Sequence, residues 1–264
     1  MCRLIAAYAD RPVSFRPLLL DAPHALIRQS NRDRRGKCHD SGWGLGQYAE
    51  GVPVRVRSTQ PAWQDPLYRE SVDRIHSSLV LAHVRLATVG RVAERNCHPF
   101  TMGPWLFAHN GTLVGFTSEP EPLRAMIASE YLENFDGETD SEHIFRLLLS
   151  RLEGRTSPRE VAGVVRSTVR ELANLYPGSD ADPTRLNLVL TNGHLLVAVR
   201  WGHWLYRWES NPVHTDEPRM LALASEAVDE GWEEVPECSV VLVNEDLTTE
   251  TLPIRGAEPV QPLT

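Results

Sequence analysis

The chain has 264 residues, which allows one large domain or two small ones. Its composition, 42% hydrophobic and 23% charged, is typical of a folded protein, and its formal net charge of -8 argues against general binding to nucleic acid or to anionic membranes. No apolar run approaches the roughly 20 residues that a membrane-spanning helix needs, so we expect neither a membrane nor a nucleic-acid partner.

The cysteines indicate a reducing compartment. They lie far apart in the chain, and no pair of them has Cys-x-x-C spacing. The sequence also begins without the features of a signal peptide. We therefore expect reduced thiols and a cytoplasmic location.

The second residue, Cys2, stands directly in front of an apolar run that predicts a strand. Cysteine is small enough for the initiator Met1 to be removed before it, which would leave Cys2 with its own α-amine. That amine has an ordinary pKa of about 7.7–8.0, so it can accept the proton of the neighbouring thiol near neutral pH. The alternative is that Cys2 is only a small buried residue of the strand.

The remaining elements are predicted from periodicity and from capping patterns. A capping box formed by Thr139 and Glu142 opens the first long helix, and Asn192-Gly193 between two apolar runs predicts a hairpin. In chain order the pattern predicts strands over 78–86 and 104–109, helices from Asp140 to about Leu152 and from Pro158 to about Tyr176, the hairpin, and strands over 203–208, 219–225 and 239–244.

Strands therefore lie at both ends of the chain, with two long helices between them. Because strands and helices do not alternate, we expect an α+β fold built from antiparallel sheets. We expect one domain over residues 1–255, followed by a tail over 256–264.

Arg85 follows a buried-looking strand and needs an anionic partner, because an unpaired buried charge is unfavourable. One interpretation is a bidentate clamp on a substrate carboxylate. The other is an ion pair within the fold.

Asn110 and Gly111 follow the next strand and are candidates for an oxyanion hole. The Asn110 side-chain amide and the Gly111 backbone N–H would donate to a developing alkoxide. The alternative is an ordinary turn, since Asn-Gly is a frequent turn dipeptide.

Asp140 lies at the start of the predicted helix, where helix capping explains Thr139 and Glu142 but leaves Asp140 without a role. We expect its carboxylate to be exposed and to accept a hydrogen bond from a substrate ammonium group. Together with Arg85, it would then hold both charged groups of one α-amino acid.

One local basic cluster in this acidic chain comprises Arg32, Arg34, Arg35 and Lys37. We interpret it as a solvated loop that could attract an anionic substrate group. The pairs Cys38-His39 and Cys97-His98 raise the hypothesis of a metal site, but adjacent side chains of an extended segment point in opposite directions. We expect neither a metal nor an organic cofactor.

These blocks, in this order, resemble the class II glutamine amidotransferases, a branch of the N-terminal nucleophile hydrolases. The blocks that carry the resemblance are Cys2, Ser41-Gly42-Trp43-Gly44, His83-x-Arg85-x-Ala87-Thr88-x-Gly90, Cys97-His98-Pro99-Phe100, His109-Asn110-Gly111, Glu138-Thr139-Asp140-Ser141-Glu142 and Ala224-Ser225-Glu226. Within the family the chain is most similar to the stand-alone type, the YafJ-like proteins and the γ-glutamyl amidohydrolases of ergothioneine biosynthesis.

The resemblance implies a four-layer αββα sandwich and cleavage of a γ-glutamyl amide through a thioester. By motif position it implies Cys2 as the nucleophile, and Asn110 with Gly111 as the oxyanion hole. It further implies that Arg85, Thr88 and Asp140 bind the glutamyl group and that Trp43 belongs to the substrate site.

Three functions remain open from the sequence. The first is hydrolysis of a γ-glutamyl amide larger than glutamine, with the basic loop over residues 31–36 covering the leaving group. The second is a glutaminase that donates ammonia to a separate synthase partner. The third is a non-catalytic protein that binds γ-glutamyl compounds.

Overall fold

The computed structural model of the chain describes residues 2–133, 135 and 137–254. The strands in this part of the chain are β1 (Arg3–Val13), β2 (Trp43–Ala49), β3 (Val52–Ser58), β4 (Ser77–Val84), β5 (Phe100–Met102), β6 (Trp105–Thr112), β7 (Arg185–Thr191), β8 (Leu195–Arg200), β9 (Tyr206–Glu209), β10 (Met220–Ala224), β11 (Glu233–Glu234), β12 (Ser239–Asn244) and β13 (Thr249–Pro253). The α-helices are α1 (Leu26–Asn31), α2 (Pro66–Arg74), α3 (Glu121–Arg124), α4 (Asp140–Leu152) and α5 (Pro158–Leu175).

The strands form two antiparallel sheets. One has the order β11-β9-β10-β1-β4-β2-β3, and the other has the order β13-β12-β8-β7-β6-β5. The sheets face each other, α1 and α2 cover the outer face of the first, and α4 and α5 cover the outer face of the second. The predicted α+β fold, with four αββα layers, is confirmed.

The alternation of side chains along each strand assigns residues to these layers. On β1, Ile5 and Ala7 pack towards α1 and α2, whereas Leu4 and Ala6 pack into the space between the sheets. Cys2 has the same parity as Leu4 and Ala6. The parity of β1 therefore directs the Cys2 side chain towards the space between the two sheets.

The long elements predicted from the sequence are found at or close to their predicted positions. Thr139 Oγ1 accepts a hydrogen bond from the Glu142 backbone N–H at 3.3 Å, as a helix N-cap does. The second half of the capping box differs, because the Glu142 carboxylate accepts from Gly137 N–H and pairs with Arg146. The predicted tail over 256–264 lies outside the described residues, and the domain boundary at 255 stays a prediction.

The pair β2 and β3 was not predicted, and its glycines explain why. Glycine is unfavourable in a strand, so the Gly44 and Gly46 positions weaken the strand pattern. Both are required by close contacts in the fold. A Cβ on Gly44 would lie 2.1 Å from the His98 carbonyl oxygen, and a Cβ on Gly46 would lie 2.8 Å from the Pro99 ring.

Among the helices of the described residues, none combines the length and the apolar character that crossing a bilayer requires.

Several histidines are buried and electrically neutral. The rings of His83 and His98 lie 4.3 Å apart, and none of their four ring nitrogens has a hydrogen-bond partner among the described residues. Burial lowers the pKa of His83 to about 3 and lowers that of His39 to about 4. These rings therefore stay uncharged at neutral pH.

This burial predicts a loss of stability in mild acid. Since the pKa values of His39 and His83 are depressed in the folded state, the unfolded chain binds more protons once the pH falls below about 6.5. We expect the free energy of unfolding to fall between about pH 6.5 and pH 4, by up to ~1.4 kcal/mol per pH unit for each such histidine. Guanidinium unfolding at a series of pH values measures this slope.

The control pair is His83→Leu and His214→Gln. The first removes a buried titrating ring and is expected to flatten the slope, whereas His214 is exposed and its replacement should leave the slope as it is. A wild-type slope in the His83→Leu variant would contradict the assignment.

Candidate active site

Cys2 lies at the beginning of β1, with its thiol against the backbone that follows β4. Its Sγ accepts from the Leu86 N–H at 3.4 Å and lies 3.5 Å from the Leu86 carbonyl oxygen, to which the thiol donates. Burial raises the pKa of the Cys2 thiol, while the Leu86 contact and the charges of Arg85 and Arg3 act in the opposite direction. The thiol is therefore protonated at neutral pH and needs a base to become a nucleophile.

Within the part of the chain that the structure describes, no side-chain base is hydrogen-bonded to the thiol for that role. Among residues 2–133, 135 and 137–254, no histidine, carboxylate or lysine forms a hydrogen bond with Cys2 Sγ; the only partner of the thiol there is the Leu86 backbone.

Arg85 is buried, with 3% of its surface exposed. Its guanidinium donates to the carbonyl oxygens of Arg91 (3.0 Å), Val89 (2.8 Å) and Gly90 (3.3 Å), and no carboxylate of the described residues lies within salt-bridge distance. The ion pair within the fold, the alternative interpretation, is therefore absent from that part of the chain. Arg85 instead stabilises the conformation of residues 89–91 by donating to their carbonyl oxygens. A guanidinium has five N–H donors, so Arg85 can also bind an anion.

Asn110 and Gly111 lie at the end of β6 rather than in a turn. Gly111 pairs with Leu186 of β7 so closely that a Cβ would lie 2.0 Å from the Arg185 carbonyl oxygen. Asn110 is 2% exposed, and its side-chain Oδ1 has no partner in the described part of the chain. The end of β6 contacts the segment that follows Arg85, because the hydroxyl oxygens of Thr88 and Thr112 lie 3.1 Å apart.

Asp140 is buried, so the prediction that it is exposed at the head of the helix is wrong. Its Oδ2 accepts from the Leu113 N–H at 2.8 Å, and its Oδ1 accepts from the Ser141 N–H at 2.8 Å. His109 of β6 forms a second hydrogen bond to this helix start, since its Nδ1 lies 2.9 Å from Ser141 Oγ. These hydrogen bonds hold the start of α4 against the end of β6. The contact of Asp140 is with Leu113, three residues beyond Asn110.

Trp43 is placed elsewhere by the structure. Its ring is fully buried, packs edge-on against Tyr68 of α2 and donates from Nε1 to Asp65 Oδ2 at 3.0 Å. The side chain therefore belongs to the layer between the first sheet and α2. Trp43 was expected in the substrate site from the resemblance, but the structure does not bring its ring to Cys2.

A cavity of about 360 Å³ opens at the end of the space between the two sheets. Asn110 is the predicted site residue that lines it, and His203, Trp204 and Tyr206 form one wall. The remaining lining residues come from three segments distant in sequence, namely Arg3, Arg34, Arg35, Ser225 and Glu226.

The residue after the candidate nucleophile is held by a buried ionic network. Arg3 Nη2 pairs with Asp33 at 2.5 Å, and Arg3 Nε pairs with Glu226 at 2.7 Å. Burial alone would raise the pKa of Glu226, but a hydrogen bond from His24 and the charge of Arg3 lower it to about 2. Arg3 Nη1 also donates to the Cys2 carbonyl oxygen at 2.9 Å, so the network reaches the backbone of the candidate nucleophile.

Three residues of this site, Arg3, Asp33 and His203, were not predicted from the sequence. A charged residue inside an apolar N-terminal strand was the one available signal for Arg3, because an interior charge requires partners. Asp33 lies in an irregular segment, where periodicity carries no information. His203 was predicted to begin a strand over 203–208, but the strand begins at Tyr206 and His203 lies in the irregular segment before it.

No group of three or more metal-ligating side chains is arranged to bind an ion within the described residues. Of the two Cys-His pairs considered from the sequence, Cys38 is exposed whereas His39 is buried beside Asp33.

Comparison with known proteins agrees with this architecture. The family model for class II glutamine amidotransferases matches residues 1–251. The chain is 32% identical over 252 residues to the gamma-glutamyl-hercynylcysteine sulfoxide hydrolase of Mycolicibacterium smegmatis, covering 93% of this chain and 96% of that protein. A solved glutamine aminotransferase class-II domain protein from Silicibacter pomeroyi is 25% identical, covers 96% of this chain and 99% of its own, and superposes with a TM-score of 0.67.

A further relative is longer than this chain. The probable glutamine amidotransferase DUG3 of Saccharomyces cerevisiae is 30% identical over 227 residues, which cover 76% of this chain. The match spans 64% of the yeast protein, less than two thirds of its length.

The ionic network predicts a specific loss of stability. Replacing Asp33 by Asn keeps the shape of the side chain but leaves Arg3 with Glu226 as its remaining carboxylate partner among the described residues. Removing one partner of a buried ion pair typically costs about 3–5 kcal/mol, and since Glu226 stays in place we expect a loss of about 2–3 kcal/mol. Urea unfolding at neutral pH measures it.

Asp40→Asn is the matched control, because Asp40 lies in the same segment but is exposed. We expect it to change the free energy of unfolding by less than about 0.5 kcal/mol. Equal effects of the two substitutions would show that the Arg3 pair is not a significant constraint.

Proposed function

We propose a γ-glutamyl amidohydrolase activity for this chain, which belongs to the class II glutamine amidotransferase family. Membership of the family makes the protein an amide-hydrolysing enzyme, and the hydrolase from Mycolicibacterium smegmatis is a relative matched over nearly its whole length. In the proposed reaction the γ-amide of a γ-glutamyl compound is cleaved and glutamate is released.

The proposed nucleophile is Cys2, and the proposed base is its own α-amine after removal of Met1. Two observations support this pairing. The thiol is protonated at neutral pH because burial raises its pKa, and no side-chain base of the described residues is hydrogen-bonded to it. An α-amine on the same residue can take that proton without any further group.

The proposed steps balance without a cofactor. The α-amine takes the thiol proton, Sγ bonds to the γ-carbonyl carbon, and the α-ammonium returns the proton to the leaving nitrogen as the C–N bond breaks. Water, deprotonated by the same amine, then attacks the thioester, the C–S bond breaks and the thiol is restored. The negative oxygen of both tetrahedral intermediates would accept from the Asn110 side-chain amide and the Gly111 N–H.

Arg85, Thr88 and Asp140 are the proposed binding residues for the glutamyl group. They lie along a continuous run of contacts that begins at Cys2: Leu86 touches the thiol, Thr88 touches Thr112, and Leu113 donates to Asp140. A guanidinium and a carboxylate at the two ends of this run suit the carboxylate and ammonium groups of an α-amino acid.

The observation that carries the proposal is the cavity beside Asn110. If Asn110 holds the oxyanion, the amide nitrogen of the substrate must lie within a few ångströms of it. The cavity of about 360 Å³ then begins where the leaving group begins. Ammonia would leave that space unfilled, whereas a larger amine would fill it, so the geometry favours a γ-glutamyl amide larger than glutamine.

Two alternatives remain distinguishable. An ammonia-donating glutaminase would prefer free glutamine and would respond to a separate synthase partner. A non-catalytic binding protein would retain γ-glutamyl compounds without releasing glutamate.

The mechanism predicts two graded losses of activity. Cys2→Ala should abolish glutamate release, since it removes the proposed nucleophile. Asn110→Ala should lower kcat by about a hundredfold to a thousandfold, as the loss of one oxyanion donor does. Steady-state glutamate release measures both, and intact-mass analysis of the active enzyme should show a chain that starts at Cys2.

The controls are Cys38→Ala and Asn211→Ala, because both residues are exposed and neither is part of the proposed site. We expect wild-type kcat for each. Full activity in a preparation that retains Met1 would rule out the α-amine as the base.

The substrate class is tested by ranking kcat/KM for glutamine, glutathione and bulkier γ-glutamyl amides. We expect at least one larger compound to exceed glutamine, because interactions of the leaving group in the cavity add to those of the glutamyl group. Preference for glutamine, with turnover that rises when a co-purifying synthase is added, would favour the ammonia-donor alternative instead.

A further inference from the structure

The chain crosses from one sheet to the other beside the cavity. Strand β8 ends at Arg200 in the second sheet, and β9 begins at Tyr206 in the first. Residues 201–205 between them, the crossover, have no regular secondary structure, yet His203 and Trp204 of this crossover line the cavity beside Asn110. Because the crossover belongs to neither sheet ladder, side-chain contacts become important for holding this wall of the cavity in place.

Asn187 of β7 binds the crossover with all of its side-chain hydrogen-bonding groups. Its Oδ1 accepts from the Trp201 N–H at 2.8 Å and from the His203 N–H at 3.2 Å. Its Nδ2 donates to the carbonyl oxygens of His203 at 3.1 Å and Trp204 at 3.2 Å. An asparagine side chain has two N–H donors and two acceptor lone pairs, so these four bonds use its full capacity.

Asn187 also lies directly opposite the proposed oxyanion residue. It is the cross-strand partner of Asn110 in the pairing of β6 with β7, and it is 1% exposed. Because its hydrogen-bonding groups are all used, Asn187 has none left for a substrate. An effect of Asn187 on substrate binding would therefore be transmitted by the crossover.

The wall that Asn187 supports is uncharged and largely aromatic. Trp204 and Tyr206 supply two rings to the cavity lining. Burial lowers the pKa of His203 well below its ordinary value, so that ring is neutral at neutral pH. Aromatic side chains of this kind bind by contact area, which requires the rings to be held in position.

We propose that Asn187 is a positioning residue that determines specificity for the leaving group, because it fixes the crossover so that His203 and Trp204 contact the group on the scissile nitrogen. The inference rests on the proposed hydrolase function and adds the residue that controls selection among leaving groups. Binding of the glutamyl group should not depend on Asn187, because the residues proposed for it belong to other elements.

Two substrates with the same glutamyl group separate the wall from the rest of the site. Glutamine releases ammonia, which offers the wall no group to contact, whereas γ-glutamyl-p-nitroanilide releases an aromatic amine. In Asn187→Ala we expect KM for the anilide to rise at least about tenfold while kcat changes by less than about threefold, since contact with the wall is lost equally from the ground state and the transition state. Both constants for glutamine should stay within about threefold of the wild-type values.

A purely structural role of Asn187 gives a different result. Loss of folded enzyme would lower kcat by the same factor for both substrates and leave both KM values unchanged. That outcome would overturn the proposal without affecting the hydrolase function.

Val189→Ala is the matched control. Val189 is the next residue of β7 that faces the space between the sheets, and it is fully buried. Its truncation removes apolar packing but no hydrogen bond to the crossover, so the ratio of the two kcat/KM values should stay within about threefold of the wild-type ratio. An equal change of this ratio in Val189→Ala and Asn187→Ala would show that any loss of packing along β7 has this effect, and the role of Asn187 would be refuted.

A double-variant cycle tests whether Asn187 acts through Trp204. Trp204→Ala alone should also raise KM for the anilide at least about tenfold, and adding Asn187→Ala should change it little further, because the ring is already absent. Single effects that multiply in the combined variant would show independent action and contradict the proposal. If circular dichroism shows that Asn187→Ala does not fold, Asn187→Ser takes its place in every comparison, since serine keeps one donor and an acceptor.

Binding to proteins that carry Cys2→Ala tests the inference without turnover. By isothermal titration, adding Asn187→Ala should raise the Kd of the anilide at least about tenfold and leave that of glutamine within about threefold. Equal Kd values for the anilide, or no measurable binding of it to either protein, would overturn the inference. Selective loss of anilide binding in a protein whose wild-type form releases no glutamate would support the role of Asn187 and refute the hydrolase function, so the two failures can be told apart.

Discussion

The buried pairing of Arg3 with Asp33 and Glu226 is the interaction on which the rest of this site depends. It joins the start of β1, the loop after α1 and the segment after β10, which are separated by 30 and 223 residues in the chain. Two carboxylates around one guanidinium compensate a charge that would be strongly unfavourable alone in the interior. The same carboxylates accept from the backbone N–H groups of Arg34 and Arg35. A single network therefore sets both the position of the Cys2 backbone and the shape of the cavity wall.

The sandwich supplies the second constraint, because two facing sheets direct alternate side chains into one shared space. Most of that space is filled by aliphatic residues such as Leu81, Leu106 and Val241. At the end where β1 begins and β6 ends, polar residues replace them and a cavity opens. A thiol placed beside such a low-dielectric layer has its pKa raised. A thiol with a raised pKa stays protonated at neutral pH and would need a dedicated base to act as a nucleophile, and this requirement supports the proposed use of the α-amine.

The elements of the fold were largely predictable, and the exceptions have physical causes. Both long helices and the Asn192-Gly193 hairpin follow from local patterns of apolar residues and caps, which act within a few residues. Strand β2 was missed because Gly44 and Gly46 are dictated by contacts with residues about 50 positions away. Asp140 was expected to be exposed because helix starts usually are. Asp140 is buried because the residue that follows β6, Leu113, packs over the start of α4 and donates to the Asp140 carboxylate.

The sequence by itself determined the candidate nucleophile, the ordered blocks around Arg85, Asn110 and Asp140, and the antiparallel α+β class, since each depends on residue type and short-range spacing. Only the tertiary structure decided which of these residues meet. It placed the Trp43 ring in the layer beneath α2 and brought Arg3, Arg34, His203 and Glu226 to one cavity. The reason is that a cavity is formed where distant segments converge, and convergence depends on sheet order and strand parity, which no local pattern of residues records.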